Sequence, residues 1–255
     1  MAARHRNRRR RRGRASFPLR LLGLAVVLAA VVGAVTMFFR INVMIVEGNE
    51  RYTDEQIIAA AGVQPGDNLV LLNKYSVKQA VFDQLPYVET VAISRKYPDA
   101  LILSVTECTA AAALPGGGGM WWLMSSGGKL LEETAQPAGV VKASGCTLDA
   151  PAPGGAAAFA QDDSYKLERL LALLREAEDK RLLEYIDALE LSDGAQITFT
   201  YQQRFTVKLP WDADMDRSLR ALQKVVDERL ESNETGEINL MNLMTEGRAY
   251  FIPSK

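Results

Sequence analysis

The chain has 255 residues, 30 basic and 31 acidic side chains, two cysteines and one histidine, His5. Two cysteines are too few for a disulfide-stapled scaffold, and a lone histidine at position 5 excludes Ser-His-Asp, Cys-His and His-containing zinc chemistry from everything beyond the first residues. The net charge of −1 hides a division: residues 1–20 carry nine arginines and no acid, so the rest holds 21 basic against 31 acidic residues, a net of −10.

Residues 1–20 read as a basic cytoplasmic tail, with Arg8, Arg9, Arg10, Arg11 and Arg12 as the run that sets orientation. Arginine runs also occur in RNA-binding tails, but the aromatic rings that stack bases are missing, His5 being the only ring before Phe17, so no nucleic acid is expected. Residues 21–39 are 19 uncharged, apolar residues. At about 1.5 Å per residue they reach roughly 28 Å, the thickness of a bilayer's hydrocarbon core. A cleaved signal peptide has a shorter core of about 7–15 residues and a small-residue cleavage site. This run ends instead in Met37-Phe38-Phe39-Arg40. It predicts an uncleaved, single-pass type II anchor in a cell membrane, with the C-terminal part outside the cytoplasm.

Residues 41–108 read as β-α-α-β-β. Ile41 to Glu47 alternates as a strand and ends at Gly48-Asn49, a turn pair. Thr53 caps a helix through Ile57, Ile58 and Ala61, and Gly62 stops it. Ser76 is the expected cap of a second helix, which places Val77, Ala80, Val81 and Leu85 on one face and ends at Pro86. Val88 to Lys96 and Leu101 to Glu107 are strands, and Leu101, Leu103 and Val105 give the last an apolar face. A three-stranded sheet with both helices on one face buries that side.

Residues 109–252 read as a second, mainly antiparallel β domain with two helices. Trp121 to Met124 and Lys129 to Leu131 form a hairpin about Ser125-Ser126-Gly127-Gly128. Residues 143–163 contain Ala150-Pro151-Ala152-Pro153-Gly154-Gly155-Ala156 and are expected as a flexible insert. Leu167, Leu170, Leu171, Leu174 and Ala177 stripe one helix; Met215, Leu219, Leu222, Val226 and Leu230 stripe another. Strands are predicted over 186–191, 196–201, 205–209, 238–240 and 249–252. The fold class is therefore α+β behind one transmembrane helix.

Chemistry has little to draw on. The pattern contains no glycine-rich loop ending in Lys-Ser/Thr, and the paired acids Glu132-Glu133 and Asp162-Asp163 are sequence neighbours, whereas a glycosidase needs carboxyls converging across a cleft. No catalytic, cofactor-binding or metal residues are predicted, and the chain is not expected to be an enzyme. Cys108 and Cys146 are compatible with a disulfide or with two free thiols.

Val46-Glu47-Gly48-Asn49, then Thr53, Ile57, Gly62, Gly66 and Asn68-Leu69, resembles the opening of a POTRA domain. Leu85-Pro86-Tyr87-Val88, then Ala92, Arg95, Tyr97-Pro98, Leu101 and Glu107, resembles its second half. Directly behind a membrane anchor with a basic tail, this is similar to the FtsQ/DivIB family of bacterial cell-division proteins. The resemblance runs on through Trp122, Gly128-Lys129-Leu130, Arg204-Phe205-Thr206-Val207 and Tyr250. The chain departs from the family pattern at Cys108-Thr109-Ala110, where Arg and then Pro are common.

The resemblance implies a non-enzymatic divisome scaffold at the division septum. Such a scaffold holds a heterodimer of the FtsB/DivIC and FtsL type and helps assemble or regulate septal peptidoglycan synthesis. A chain ending in a short strand leaves an open sheet edge to which an incoming segment adds by β-augmentation. That edge is expected at Arg248, Ala249, Tyr250, Phe251 and Ile252, with Tyr250 as anchor because tyrosine is enriched at hot spots. One of Tyr250 and Phe251 faces inward by alternation. A POTRA edge, at Ile41 to Glu47 or Leu101 to Val105, is expected to serve other divisome components. The other reading is a membrane-anchored POTRA module for envelope assembly or export; no run of ten-residue amphipathic strands suggests a barrel behind it.

Overall fold

The computed structural model describes residues 16–160 and 163–254. The orientation-setting run Arg8 to Arg12 lies outside the described residues. Helix α1 spans Ser16–Phe38, and its stretch Arg20–Phe38 is long and apolar enough to cross a membrane. It ends one residue earlier than the apolar run. Phe39 turns out of the helix because its carbonyl accepts the Leu69 N–H at 2.8 Å, and Arg40 then bridges Asn68.

The segment that follows is β-α-α-β-β as expected: β1 (Val43–Glu47), α2 (Asp54–Ala61), α3 (Lys74–Gln84), β2 (Val88–Lys96) and β3 (Ala100–Glu107). Thr53 and Gln56 form a reciprocal capping box at the start of α2, and Gly62, at φ 65°, ends it. Helix α3 starts ahead of Ser76: the Asn73 carboxamide oxygen accepts the N–H groups of Tyr75 and Ser76, so Asn73 is the cap and Ser76 lies inside the first turn. The Glu107 carboxylate accepts the backbone N–H groups of Glu50, Arg51 and Tyr52, which fixes the entry to α2. The strand order is β1-β3-β2, with β1 parallel to β3 and β2 antiparallel to it. Strand β3 is therefore central, and of Leu101 to Val105, expected as a possible edge, Leu101 to Ser104 are paired on both sides. Its inward face, Leu101, Leu103 and Val105, packs on Ile57, Val77 and Val81 from the helices.

A nine-stranded sheet makes up the rest, in the order β12-β11-β10-β9-β8-β7-β4-β5-β6. Its strands are β4 (Ala112–Pro115), β5 (Trp121–Met124), β6 (Leu130–Thr134), β7 (Val141–Ser144), β8 (Ile186–Glu190), β9 (Gln196–Tyr201), β10 (Phe205–Pro210), β11 (Gly236–Asn239) and β12 (Tyr250–Pro253). Helices α4 (Ser164–Asp179) and α5 (Met215–Arg229) are the two long crossovers, and α6 (Leu243–Glu246) is one turn. A parallel pair needs a crossover. Accordingly α4 joins the parallel pair β7–β8, and α5 joins the parallel pair β10–β11. Five of the eight ladders are antiparallel. Leu170, Leu174 and Ala177 of α4, with Leu219 and Leu222 of α5, bury against Phe199, Phe205 and Val207. Leu173 also buries fully, widening the predicted stripe.

Of residues 143–163, expected as a flexible insert, 161 and 162 lie outside the described residues. Ala143 and Ser144 belong to β7. Beyond them Leu148 bridges Phe159, the Asp149 N–H donates to Ala158 C=O, and the Ala160 N–H donates to Thr147 C=O. Phe159, Ala157 and Cys146 bury in the main core, so this glycine- and proline-rich segment is pinned by a few anchors.

Candidate partner-binding edge

The nine-stranded sheet has two ends, and the chain treats them differently. At one end is β6. The Leu130 N–H donates to Gly155 C=O at 2.8 Å, the Gly154 N–H donates to Leu130 C=O at 2.7 Å, and the Ala157 N–H donates to Gly128 C=O at 2.7 Å. The start of that edge is covered by the chain itself, and the strand continues with Glu132 and Glu133, charges that discourage further pairing.

At the other end is β12, which among the described residues pairs only with β11. It begins at Tyr250 and includes Pro253, so Arg248 and Ala249, expected within the edge, precede the strand. Ala249 packs against the core instead, and Arg248 is exposed. The shift follows from the single turn α6, which ends with Gly247 at φ 68° and leaves two residues to reach the sheet.

Hydrogen bonding orients this strand. The Ser254 N–H donates to Thr235 C=O at 2.8 Å, continuing the register that pairs Ile252 with Glu237 and Tyr250 with Asn239. In an antiparallel ladder alternate residues face the partner strand. Tyr250 and Ile252 therefore direct their backbone groups to β11, and Phe251 directs its N–H and C=O to the open side. Pro253 falls in the same outward phase and lacks an N–H, as proline does on edge strands.

Side chains alternate across the other direction. Phe251 packs edge-to-face on Phe205, ring centroids 6.1 Å apart, and joins the core. Tyr250 and Ile252 lie on the opposite face, 43 % and 54 % exposed, with Met244 of α6 also exposed. The Tyr250 hydroxyl donates to Glu246 Oε2 at 2.6 Å, and this bond holds the phenol above its usual range. Of the two aromatic neighbours, Phe251 is thus the inward one.

Two contributors were not visible as site residues in the sequence. Gly236 of β11 pairs with Pro253, and a Cβ there would strike the Ile252 carbonyl oxygen and come within 2.9 Å of Phe251 Cε2. A glycine inside a strand pattern is the available signal of such a close approach. Glu246, which holds Tyr250, gives no signal at all. Of the other chemistry-bearing residues, Glu132 accepts from the Tyr87 hydroxyl at 2.6 Å and Asp163 pairs with Lys166 at 2.6 Å. Cys108 and Cys146 are free thiols, and burial pushes them up to about 11 and about 12.

Residues 39–107 match the family model of the FtsQ-type POTRA domain. A cell division protein FtsQ of Corynebacterium glutamicum is 24% identical over 182 residues, covering 69% of this chain and 75% of that protein. The chain is thus similar to FtsQ-type cell-division proteins. A cell division protein FtsQ of Syntrophotalea carbinolica is 28% identical over 89 residues, 34% of this chain and 31% of that protein. The Corynebacterium alignment is far longer than the POTRA segment, so the likeness to FtsQ extends into the nine-stranded sheet. With its apolar α1, the chain is an FtsQ-like, membrane-anchored cell-division protein carrying a POTRA domain.

Proposed function

We propose that this FtsQ-like protein is a non-enzymatic scaffold of the divisome that binds an FtsB/DivIC–FtsL type heterodimer along β12 and thereby helps assemble or regulate septal peptidoglycan synthesis. In this reading α1 spans the cell membrane, the arginine-rich N-terminus stays in the cytoplasm, and both sheets work outside it at the septum. The observation that carries the proposal is the asymmetry of the large sheet. One edge is covered by residues 154–157 and guarded by acids, whereas β12 keeps an unpaired backbone flanked by exposed Tyr250 and Ile252. An added strand gains main-chain hydrogen bonds from Phe251 and apolar contacts from its two neighbours. Other division proteins have the β1 edge of the POTRA domain available to them.

The test is a titration of the full-length protein in nanodiscs with the heterodimer. Tyr250→Ala should weaken binding by about 2 kcal/mol, roughly thirty-fold in Kd, with thermal unfolding unchanged. An unaltered Kd for both Tyr250→Ala and Ile252→Glu would remove β12 as the contact.

A further inference from the structure

The junction between α1 and the POTRA domain contains no free linker. The Asn68 carboxamide donates to the Val35 carbonyl at 3.0 Å, inside the last turn of α1. The Leu69 N–H donates to Phe39 C=O, the Ile41 N–H to Asp67 C=O, and the Asn42 and Val43 N–H groups to Asp99 C=O. The Phe39 ring meets Tyr97 edge-to-face, centroids 5.5 Å apart. From Arg20 to Phe39, Val35 and Phe39 are the residues shielded by the rest of the chain. The helix is thus docked by its last turn onto the loop before α3 and the turn between β2 and β3.

That docking fixes the height of nearby side chains. Leu71 follows the Asn68 turn and is 70 % exposed; Tyr97, touching Phe39, is 57 % exposed. Met37 and Phe38 at the helix end are exposed as well, and Tyr75 lies four residues beyond Leu71. Large apolar and tyrosine side chains gathered around the end of an apolar helix are what a membrane–water interface takes up. Arg40 and Lys96 are exposed beside this patch; Asp67 and Asp99, which accept from the Gln64 N–H and the Asn42 carboxamide, keep their charges nearby.

We infer that the POTRA domain rests on the outer leaflet, with Leu71 and Tyr97 inserted at headgroup level and Arg40 and Lys96 facing anionic lipid. The POTRA domain is then held at a fixed height and tilt relative to the bilayer, which limits how far β12 can swing above the membrane. The inference rests on the reading that α1 spans the bilayer.

The full-length protein in nanodiscs of phosphatidylglycerol and phosphatidylcholine, doped with a phosphatidylglycerol bearing a diazirine near the glycerol, tests it by photolysis and peptide mass spectrometry. Lipid adducts on Leu71 and Tyr97 in addition to those on α1 are the expected result. Adducts on α1 that stop at Arg40 would overturn the resting surface and leave the spanning helix standing. Absence of adducts on α1 would overturn both.

Discussion

Gly236 shows how one missing side chain sets the geometry of the candidate site. Strand β12 approaches β11 so closely at this point that a Cβ has no room beside the Ile252 carbonyl and the Phe251 ring. Gly236→Val should detach β12, destabilise the protein by about 1–3 kcal/mol as an overpacked site does, and weaken heterodimer binding together with it. Thermal unfolding and titration of the same variant check both effects. Cys146 gives a different residue-scale prediction. Burial holds its thiol at about 12 in the folded protein, whereas an unfolded thiol titrates near 8.5. The unfolded chain therefore loses this proton first. Its contribution to stability is complete below about pH 8.5 and is lost as pH rises through the folded value, by roughly 1 kcal/mol per pH unit. Cys108, at about 11, acts in the same sense. Urea unfolding between about pH 8.5 and 10 should show Cys146→Ala flattening the decline relative to the parent.

At the scale of elements, helices announce themselves through capping and stripes. The Thr53–Gln56 capping box is a local device, legible because both partners lie within four residues. Thr53→Ala should lower stability by about 1 kcal/mol in chemical denaturation, since the Gln56 N–H of α2 loses its side-chain acceptor. The α3 start is ambiguous in the sequence for a related reason: Asn73 and Ser76 are both good caps, and only the three-dimensional course of residues 68–73 selects the first. Strands β4 and β7 were not legible. Strand β4 is Ala112-Ala113-Leu114-Pro115, buried along its first three residues, so it offers neither alternation nor β-branched side chains. Strand β7 has only four residues and sits between Gly139 and Gly145. Strand β7 is held by ladders to β4 and β8, both distant in sequence, a cause that no local window contains, whereas β4 pairs along its whole length with the neighbouring β5 and over two residues with β7.

At the scale of the molecule, the two sheets are joined by a polar seam. Arg51 stacks 3.7 Å from the Tyr87 ring centroid, the Tyr87 hydroxyl bonds Glu132 of β6, and the Lys129 ammonium donates to Val88 C=O at 2.7 Å. The seam lies by β6, the opposite end of the large sheet from β12. A chain fastened at one end and unpaired at the other presents its free edge away from its anchor. That one strand near the C-terminus would be an edge was readable from order alone; that it is the less protected of two edges needed the fold, because residues 154–157 return to β6 from beyond β7.

The most direct test of β12 as a docking strand is residue-resolved amide hydrogen exchange, with and without the FtsB/DivIC–FtsL type heterodimer. The Tyr250 and Ile252 amides already face β11 and should be protected in the free protein, while the Phe251 amide faces solvent and should exchange fast. On binding, Phe251 should become protected and the other two should change little. A Phe251 amide that still exchanges fast in the saturated complex would contradict strand addition at β12.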